Sequence, residues 1–230
     1  MSLSDGKFAC SAIGGFNRES GQAQTNALLA WAILANKGWT LQAFCGYWGN
    51  VGNESVYNPW RWQGDYVLTS DSPLIGTVGG GSTAHAYGLG QWDPAAKYIY
   101  QAYDRDGYGP NFSDRPGSYY DGWAQLDFMN SDYAQWWDGA WNMTFDQYKH
   151  STDDPRNLAR IFFDSWERGT WNEGRKDDAA YWWNFITNGE PIGPDQPTPP
   201  APPLPPGPSG GGSTKSKFIF YLKPYWKRGL

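Results

Sequence analysis

The sequence predicts a mainly α fold, a helical globule with a small β-hairpin or a long loop beside it. Three observations lead to this fold class: helical apolar stripes with capping signals recur along the chain, residues 60–86 lack such a stripe, and a proline-rich stretch closes the pattern near residue 190. With 230 residues, 40% of them hydrophobic, the chain can form one substantial core with appendages rather than two full domains.

Two helices are predicted near the N-terminus. From Thr25, the run NALLAWAILANKG places apolar residues on a broad helical stripe, and Gly38 supplies a left-handed stop. Thr40 is then the predicted N-cap of LQAFCGYWGNVGNES, a second helix whose C-terminal end carries Glu54. The pattern therefore indicates a helix hairpin that ends in a carboxylate.

Residues 60–86 predict a short hairpin or a long loop with little regular structure. They contain the β-forming run Tyr66-Val67-Leu68-Thr69 and the flexible GGGST segment. After YGLGQW, Asp93-Pro94 is a start signal for the helix AAKYIYQAYDRDG, with aspartate as the N-cap and proline at the first helical position.

The remaining helices are predicted from the same signals. They are expected at Tyr119 to Asn130, Phe145 to His150, Pro155 to Arg168 with Asp154 as the cap, and Arg175 to Asn188. The globular pattern stops at Gly189.

The predicted organisation has four parts. An N-terminal extension (1–21) precedes a globular domain (22–190), and a Pro/Gly-rich linker (191–214) follows it, semi-rigid first and flexible after. The tail (215–230) is basic and aromatic and contains no acidic residue. It could dock on a partner or an anionic surface, or be a disordered end or the start of a further segment.

Charge and hydropathy exclude several classes of function. A net charge of -5 argues against binding to nucleic acid, which depends on clustered Lys and Arg. No stretch approaches the roughly 18 apolar residues of a membrane span, and MSLSDGKFAC lacks the features of a signal peptide. We expect a particle or another carrier to deliver the protein if it acts outside a cell.

The few cysteines and histidines limit metal and nucleophilic chemistry. Cys10 and Cys45 are too few for a disulfide framework or a zinc cluster, and are interpreted as small buried residues, with a single bridge as the alternative. His85 and His150 are the only histidines, so few histidines are available to form a His-rich metal site or a Ser-His-Asp triad. No metal and no cofactor are expected.

Glu54 is the first candidate for chemistry. It ends an apolar helix with Trp48, Trp60 and Trp62 nearby in sequence, where desolvation would favour the protonated form of its carboxyl group. Cleavage of a glycosidic bond requires such a protonated acid, because the leaving oxygen must take a proton as positive charge develops on the sugar. Position alone also fits a surface or capping glutamate.

The residues around Glu54 resemble a known family. Asn53-Glu54-Ser55, then Asn58-Pro59, then Tyr87-Gly88-Leu89-Gly90-Gln91-Trp92 resemble the paired signature of the lysozyme-like superfamily. The pattern is most similar to the phage tail lysozyme family, the tail-associated peptidoglycan hydrolases of phages. Gly49-Asn50 precedes Glu54 at that family's spacing, and FFDSWERGTWNEGRKDDAAYWW resembles its closing helices. The resemblance spans about residues 22 to 188 and implies a lysozyme-like α+β fold.

The resemblance implies roles for particular residues. Glu54 would be the catalytic acid, and the segment from Tyr87 to Gln91 would line the glycan subsites. The implied substrate-binding set is Ser55, Asn58, Tyr87, Gly88, Gly90, Gln91 and Trp92. Glycines at 88 and 90 suit this role, because a sugar chain can approach a backbone that carries no side chain.

The sequence offers more than one candidate for the second catalytic carboxylate. Asp65 and Asp71 lie in the loop after Glu54, with Asp71 slightly favoured, and either could instead be a solvated loop residue. Asp93 fits a helix N-cap better. The superfamily also contains enzymes resembling lytic transglycosylases, which need no second carboxylate.

The predicted function is that of a muramidase on a phage virion. It would cleave the β-1,4 bond between N-acetylmuramic acid and N-acetylglucosamine in the peptidoglycan of the host cell wall, opening the wall during infection. The linker and tail would join it to other phage tail proteins. The alternatives are a lytic transglycosylase on the same substrate and a non-catalytic wall-binding tail module.

Overall fold

The computed structural model describes residues 5–77, 83–103, 109–131 and 135–188. Within these ranges the chain is mainly helical, as predicted, and its β-structure consists of the isolated bridges Trp62–Tyr87 and Tyr87–Trp92. The helices are α1 (Gly21–Ala35), α2 (Leu41–Ser55), α3 (Ala96–Tyr103), α4 (Asp121–Ser131), α5 (Phe145–Lys149), α6 (Pro155–Phe162) and α7 (Gly174–Asn188).

The segment between α2 and α3 is a long loop, which is one of the two predicted forms. It contains short 3-10 turns at Gln63–Asp65 and Pro73–Ile75 but no strand ladder within the described residues. Most of the GGGST segment lies outside the described residues, as do the predicted linker and tail.

The predicted hairpin of α1 and α2 is present. The Thr40 hydroxyl caps α2 by accepting a hydrogen bond from the Ala43 amide at 3.2 Å, and Gly38 adopts a left-handed φ of 85° between the helices. α1 begins at Gly21, four residues before the predicted start, because the Ser20 side chain caps it. α2 ends at Ser55, so Glu54 occupies its last turn as predicted.

Glycines let α6 and α7 approach α2 closely. A Cβ atom on Gly46 would lie 2.7 Å from the Leu158 Cβ of α6, and one on Gly49 would lie 2.5 Å from the Arg175 carbonyl of α7. No residue larger than glycine fits these two positions without moving a neighbouring helix. This packing brings the last turn of α2 against the first turn of α7.

The centre of the core is aromatic. Trp48 of α2 stacks on Tyr57 at 6.0 Å, and Tyr57 meets Trp182 of α7 edge-on at 5.1 Å. The Tyr57 hydroxyl accepts from the Trp182 indole at 3.1 Å and donates to Asp178 at 2.9 Å, which satisfies its buried oxygen. These contacts hold α7 against α2 and the residues that follow it.

Two further helices differ from their predictions. α3 begins at Ala96, three residues after Asp93, so Asp93 is not the N-cap residue of this helix. α6 is shorter than predicted: after Phe162 the chain widens into a π-helical turn, Phe163–Glu167, which a left-handed Arg168 ends. α4, α5 and α7 match their predicted ranges to within two residues, and the Asp154 cap is confirmed by its 2.8 Å bond from the Arg156 amide.

Both cysteines are free thiols, which excludes the alternative of a Cys10–Cys45 bridge. Cys45 is fully buried and Cys10 is half-buried, and burial raises the pKa of each thiol. Among the described residues, no helix has both the length and the apolar character that a membrane crossing needs.

Candidate active site

A cleft of about 450 Å³ opens at the C-terminal end of α2. Three parts of the chain form it: the last turn of α2, the loop between α2 and α3, and the segment from the π-helical turn to the start of α7. Its lining residues are Glu54, Arg61, Gln63, Gly64, Ala86, Gln91, Asp93, Phe163, Glu167, Gly169, Thr170 and Arg175. Most of them carry polar or charged groups, which suits a ligand rich in hydroxyl groups.

Glu54 is held in this cleft by an arginine from α7. Its Oε1 atom accepts a hydrogen bond from Nη2 of Arg175 at 2.6 Å. The two side chains retain 20% and 8% of their exposure for Glu54 and Arg175, respectively, so the pair is largely shielded from water at one wall of the cleft. An ion pair in this setting is stronger than one on the surface.

Arg175 is itself rigidly placed. Its Nη1 atom donates to the Asn50 side-chain oxygen at 3.1 Å, and its guanidinium lies 4.8 Å from the centre of the Phe163 ring. The Asn50 side chain donates in turn to the carbonyls of Gly46 and Ala159, at 2.9 and 3.0 Å. The cation beside Glu54 is therefore positioned by α2, α6 and α7 together, before any ligand binds.

Glu167 is a second glutamate in the same cleft, and the sequence did not single it out as a candidate. It is the last residue of the π-helical turn and is half-buried. Burial raises its pKa well above the ordinary value, the charge of Glu54 raises that pKa further, and Arg175 opposes the shift. No local motif marks this residue as catalytic; in the sequence it lies within the stretch FFDSWERGTWNEGRKDDAAYWW, which resembles the closing helices of the family.

Gln91 is the member of the implied substrate-binding set whose side chain lines the cleft. It adopts a left-handed φ of 42°, and its Nε2 atom donates to the carbonyls of Arg61 and Gly88 at 3.0 and 2.9 Å. These bonds fix the amide against the loop that faces Glu54.

Other members of that set are buried and shape the wall instead of facing the cleft. Ser55 donates to the Val51 carbonyl at 3.2 Å, and Asn58 donates to the carbonyls of Ser11 and Gly14, both at 2.7 Å. Trp92 is packed between Tyr98 and Phe128 of neighbouring helices. All three side chains are removed from solvent.

The glycines at 88 and 90 also lie close to other parts of the protein. A Cβ atom on Gly88 would lie 2.6 Å from Oε1 of Gln125 in α4, and Gly88 has a φ of 85°. A Cβ atom on Gly90 would lie 3.1 Å from the Trp92 ring. Close packing of the loop on α4 and on its own tryptophan thus favours glycine at both positions, independently of any ligand.

A buried acidic network supports this loop from behind. Asp121 of α4 accepts hydrogen bonds from the hydroxyls of Tyr87, at 2.8 Å, and of Tyr98, and from the Gln125 amide at 2.8 Å. Gln125 also accepts from the Leu89 amide at 2.7 Å. Burial raises the pKa of Asp121 to about 7, although these three donors act in the opposite direction.

Asp65 and Asp71, the sequence candidates for the second carboxylate, do not line the cleft with Glu54. Asp65 pairs with Arg61 at 2.9 Å and accepts from the Gly14 amide at 3.0 Å. Asp71 lines a second cavity of about 430 Å³ beside Ile99. The structure instead brings Glu167 and Asp93 to the cleft. In the described ranges, no cluster of three or more His, Cys, Asp or Glu residues could hold a metal ion.

Comparisons with known proteins match most of this chain. The family model described as phage tail lysozyme matches residues 25–186. The chain is also similar to Morphogenesis protein 1 of Bacillus phage B103, with 31% identity over 167 residues. That alignment covers 70% of this chain but 39% of the relative, so the chain spans well under half of the relative's length.

Proposed function

Because the chain belongs to the phage tail lysozyme family, we propose that it is a peptidoglycan hydrolase of the muramidase type. Its substrate is the glycan strand of the bacterial cell wall, and the bond it cleaves is the β-1,4 linkage between N-acetylmuramic acid and N-acetylglucosamine. The observation that carries this proposal is the pairing of Glu54 with Arg175 at one wall of a polar cleft.

In the proposed reaction Glu54 protonates the glycosidic oxygen while positive charge develops on the departing sugar. Loss of that proton leaves a carboxylate on Glu54, and the guanidinium 2.6 Å away is already in place to stabilise the new charge. The side-chain carbonyl oxygen of Gln91 and the side-chain amide nitrogen of Gln63 are available to bind the sugar from the loop between α2 and α3. Water completes the hydrolysis by bonding to the anomeric carbon.

We place the protein on a phage tail, where it opens the host wall during infection and so assists genome ejection. The similarity to a protein named for morphogenesis in a Bacillus phage supports this location. Residues 191–230, with their proline-rich, glycine-rich and basic segments, would connect the globular domain to other tail proteins.

A lytic transglycosylase is the second candidate. It is favoured by the positions of Asp65 and Asp71, since neither of the two carboxylates expected to assist Glu54 lines the cleft. Such an enzyme uses one acid and closes a 1,6-anhydro ring in place of adding water. A wall-binding module without activity is disfavoured, because binding alone gives no reason to shield the Glu54–Arg175 pair.

The test is a digest of purified Bacillus-type peptidoglycan by the wild type and by Glu54→Gln, with the soluble products identified by mass spectrometry. Glu19→Gln serves as the matched control, since Glu19 is exposed and does not line the cleft. Reducing muropeptides from the wild type and the control, and none from Glu54→Gln, are expected. Anhydro products would favour the transglycosylase, and lysis by Glu54→Gln at the wild-type rate would refute the role of Glu54.

A further inference from the structure

The cleft contains an acid that the proposed reaction does not use. Glu167 lies at the end of the π-helical turn Phe163–Glu167, and the Arg168 amide closes this turn by donating to the Phe163 carbonyl at 2.8 Å. Turns of this kind occur frequently at functional sites, because the wider helix redirects the side chains it carries. Here the turn places Glu167 in the wall that also contains Phe163 and Arg175.

The charges around Glu167 are unbalanced. Glu54 of α2 and Arg175 of α7 line the same cleft, and the charges of both act on the ionisation of Glu167. The buried Tyr47 hydroxyl of α2 lies near enough for the Glu167 charge to raise the pKa of that tyrosine, so it offers no second cation. Arg61 and Asp93 stand on the loop side of the cleft.

The wall of the cleft therefore combines one guanidinium, that of Arg175, with two carboxyl groups that are both partly withdrawn from water. Ionising both acids would leave an uncompensated negative charge in the cleft wall, whereas one proton on the pair leaves the three groups neutral as a set. Arg175 donates directly to Glu54, and the raised pKa of Glu167 agrees with a proton that resides on Glu167 at rest.

We propose that Glu54 and Glu167 share one proton, and that Glu167 is the positioning residue that stores it and returns it to Glu54. This inference rests on the proposed function. The proton passes within the cleft from the Glu167 carboxyl to the Glu54 carboxylate, and Glu54 then gives it to the glycosidic oxygen. That oxygen keeps the electron pair of the broken bond to the anomeric carbon.

Water then forms the new bond to the anomeric carbon and releases a proton, which returns to the carboxylate pair. The site thus regains its single proton and its charge at the end of each cycle. If the reaction is a transglycosylation, the C6 hydroxyl of the muramoyl sugar takes the place of water, and the proton that this hydroxyl loses returns to the carboxylate pair. The storage role of Glu167 is identical in both cases.

The test measures the rate of product release by the wild type, Glu54→Gln, Glu167→Gln and Glu167→Asp across a range from about pH 4 to about pH 9. Glutamine at 167 keeps the size of the neutral acid but cannot release its proton. We expect kcat of Glu167→Gln to fall about 100-fold near neutral pH with little change in KM. The loss should shrink in acid, where solvent supplies the proton that Glu167 would otherwise store, and Glu167→Asp should recover part of the rate.

A structural role alone would lower the rate equally at every pH. A Glu167→Gln profile parallel to that of the wild type would therefore overturn the shared proton while leaving Glu54 as the acid, provided that Glu54→Gln is inactive. Absence of product from the wild type would overturn both proposals. Thermal unfolding shows whether Glu167→Gln is folded. If it is not, the pH profile of kcat is compared between the wild type and Glu167→Asp. A profile of Glu167→Asp that falls at the same alkaline pH as that of the wild type would contradict the inference.

Discussion

The carboxylate of Glu54 and the guanidinium of Arg175 lie 2.6 Å apart, although 121 positions separate them in the chain. The contact joins the last turn of α2 to the first turn of α7, at the place where Gly49 allows these helices to touch. Arg175 therefore contributes to the stability of the helix pair and, in the proposed reaction, to the chemistry of the cleft.

Replacing Arg175 with methionine should reduce both properties. The substitution leaves the Glu54 carboxylate partly buried without its charged donor, so the free energy of unfolding should fall by about 2 kcal/mol in urea denaturation. Wall lysis should fall at least about tenfold, since the carboxylate formed during catalysis loses its counter-charge. In a Glu54→Gln background the same substitution should cost clearly less stability, and an equal cost would show that the pair is not coupled.

Gly49→Ala should separate α2 from α7. The new methyl group would meet the Arg175 carbonyl at 2.5 Å, both of them inside a packed helix contact, so we expect a loss of about 2 kcal/mol or more in stability. Lysis should also decrease, because Arg175 moves with its helix. Gly21→Ala is the matched control: it begins α1 with no atom within 4 Å of the added Cβ, and unchanged stability is expected there.

Gly88→Ala tests the support of the cleft loop by α4. Both the left-handed φ and the contact with Gln125 oppose a side chain, so stability should fall by about 2–3 kcal/mol in thermal or urea unfolding. Gly14→Ala shares the positive φ but has open space around its Cβ, and should cost only about 1 kcal/mol. Equal losses at the two sites would show that backbone conformation, and not packing against α4, requires Gly88.

Asp121 should make stability depend on pH in a defined direction. Its pKa in the folded protein, about 7, lies above the ordinary value of 3.8, so the protonated group favours folding in acid. This contribution is complete below about pH 4 and is lost as the pH rises through about 7, with a total of about 4 kcal/mol at most. The difference in unfolding free energy between the wild type and Asp121→Asn should therefore change across this window; a constant difference would contradict the assignment.

Asp71→Asn and Asp65→Asn should lyse purified walls at rates within about twofold of the wild type, because neither carboxylate reaches the cleft in this structure. Turbidity loss of a wall suspension is a sufficient measurement. Loss of lysis in Asp71→Asn, with a normal melting temperature, would mean that the loop carries Asp71 to the substrate after all.

Local signals in the sequence determined the helices, the caps at Thr40 and Asp154, and the position of Glu54 at the end of α2. Each of these features depends on residues within one or two helical turns of each other, so the chain alone is sufficient to predict it. The family resemblance was also readable, since Glu54-Ser55 and the Tyr87–Trp92 segment each form a short contiguous motif.

Only the tertiary structure decided which groups share the cleft with Glu54. Arg175, Glu167 and Asp93 arrive there through the packing of α7 on α2, the widened turn after α6, and the late start of α3, none of which has a periodic or capping signature. The same packing turned Ser55, Asn58 and Trp92 inward and gave Gly88 its neighbour in α4. Contacts between residues so far apart in the chain depend on how whole helices pack together, and a local sequence pattern does not predict that packing.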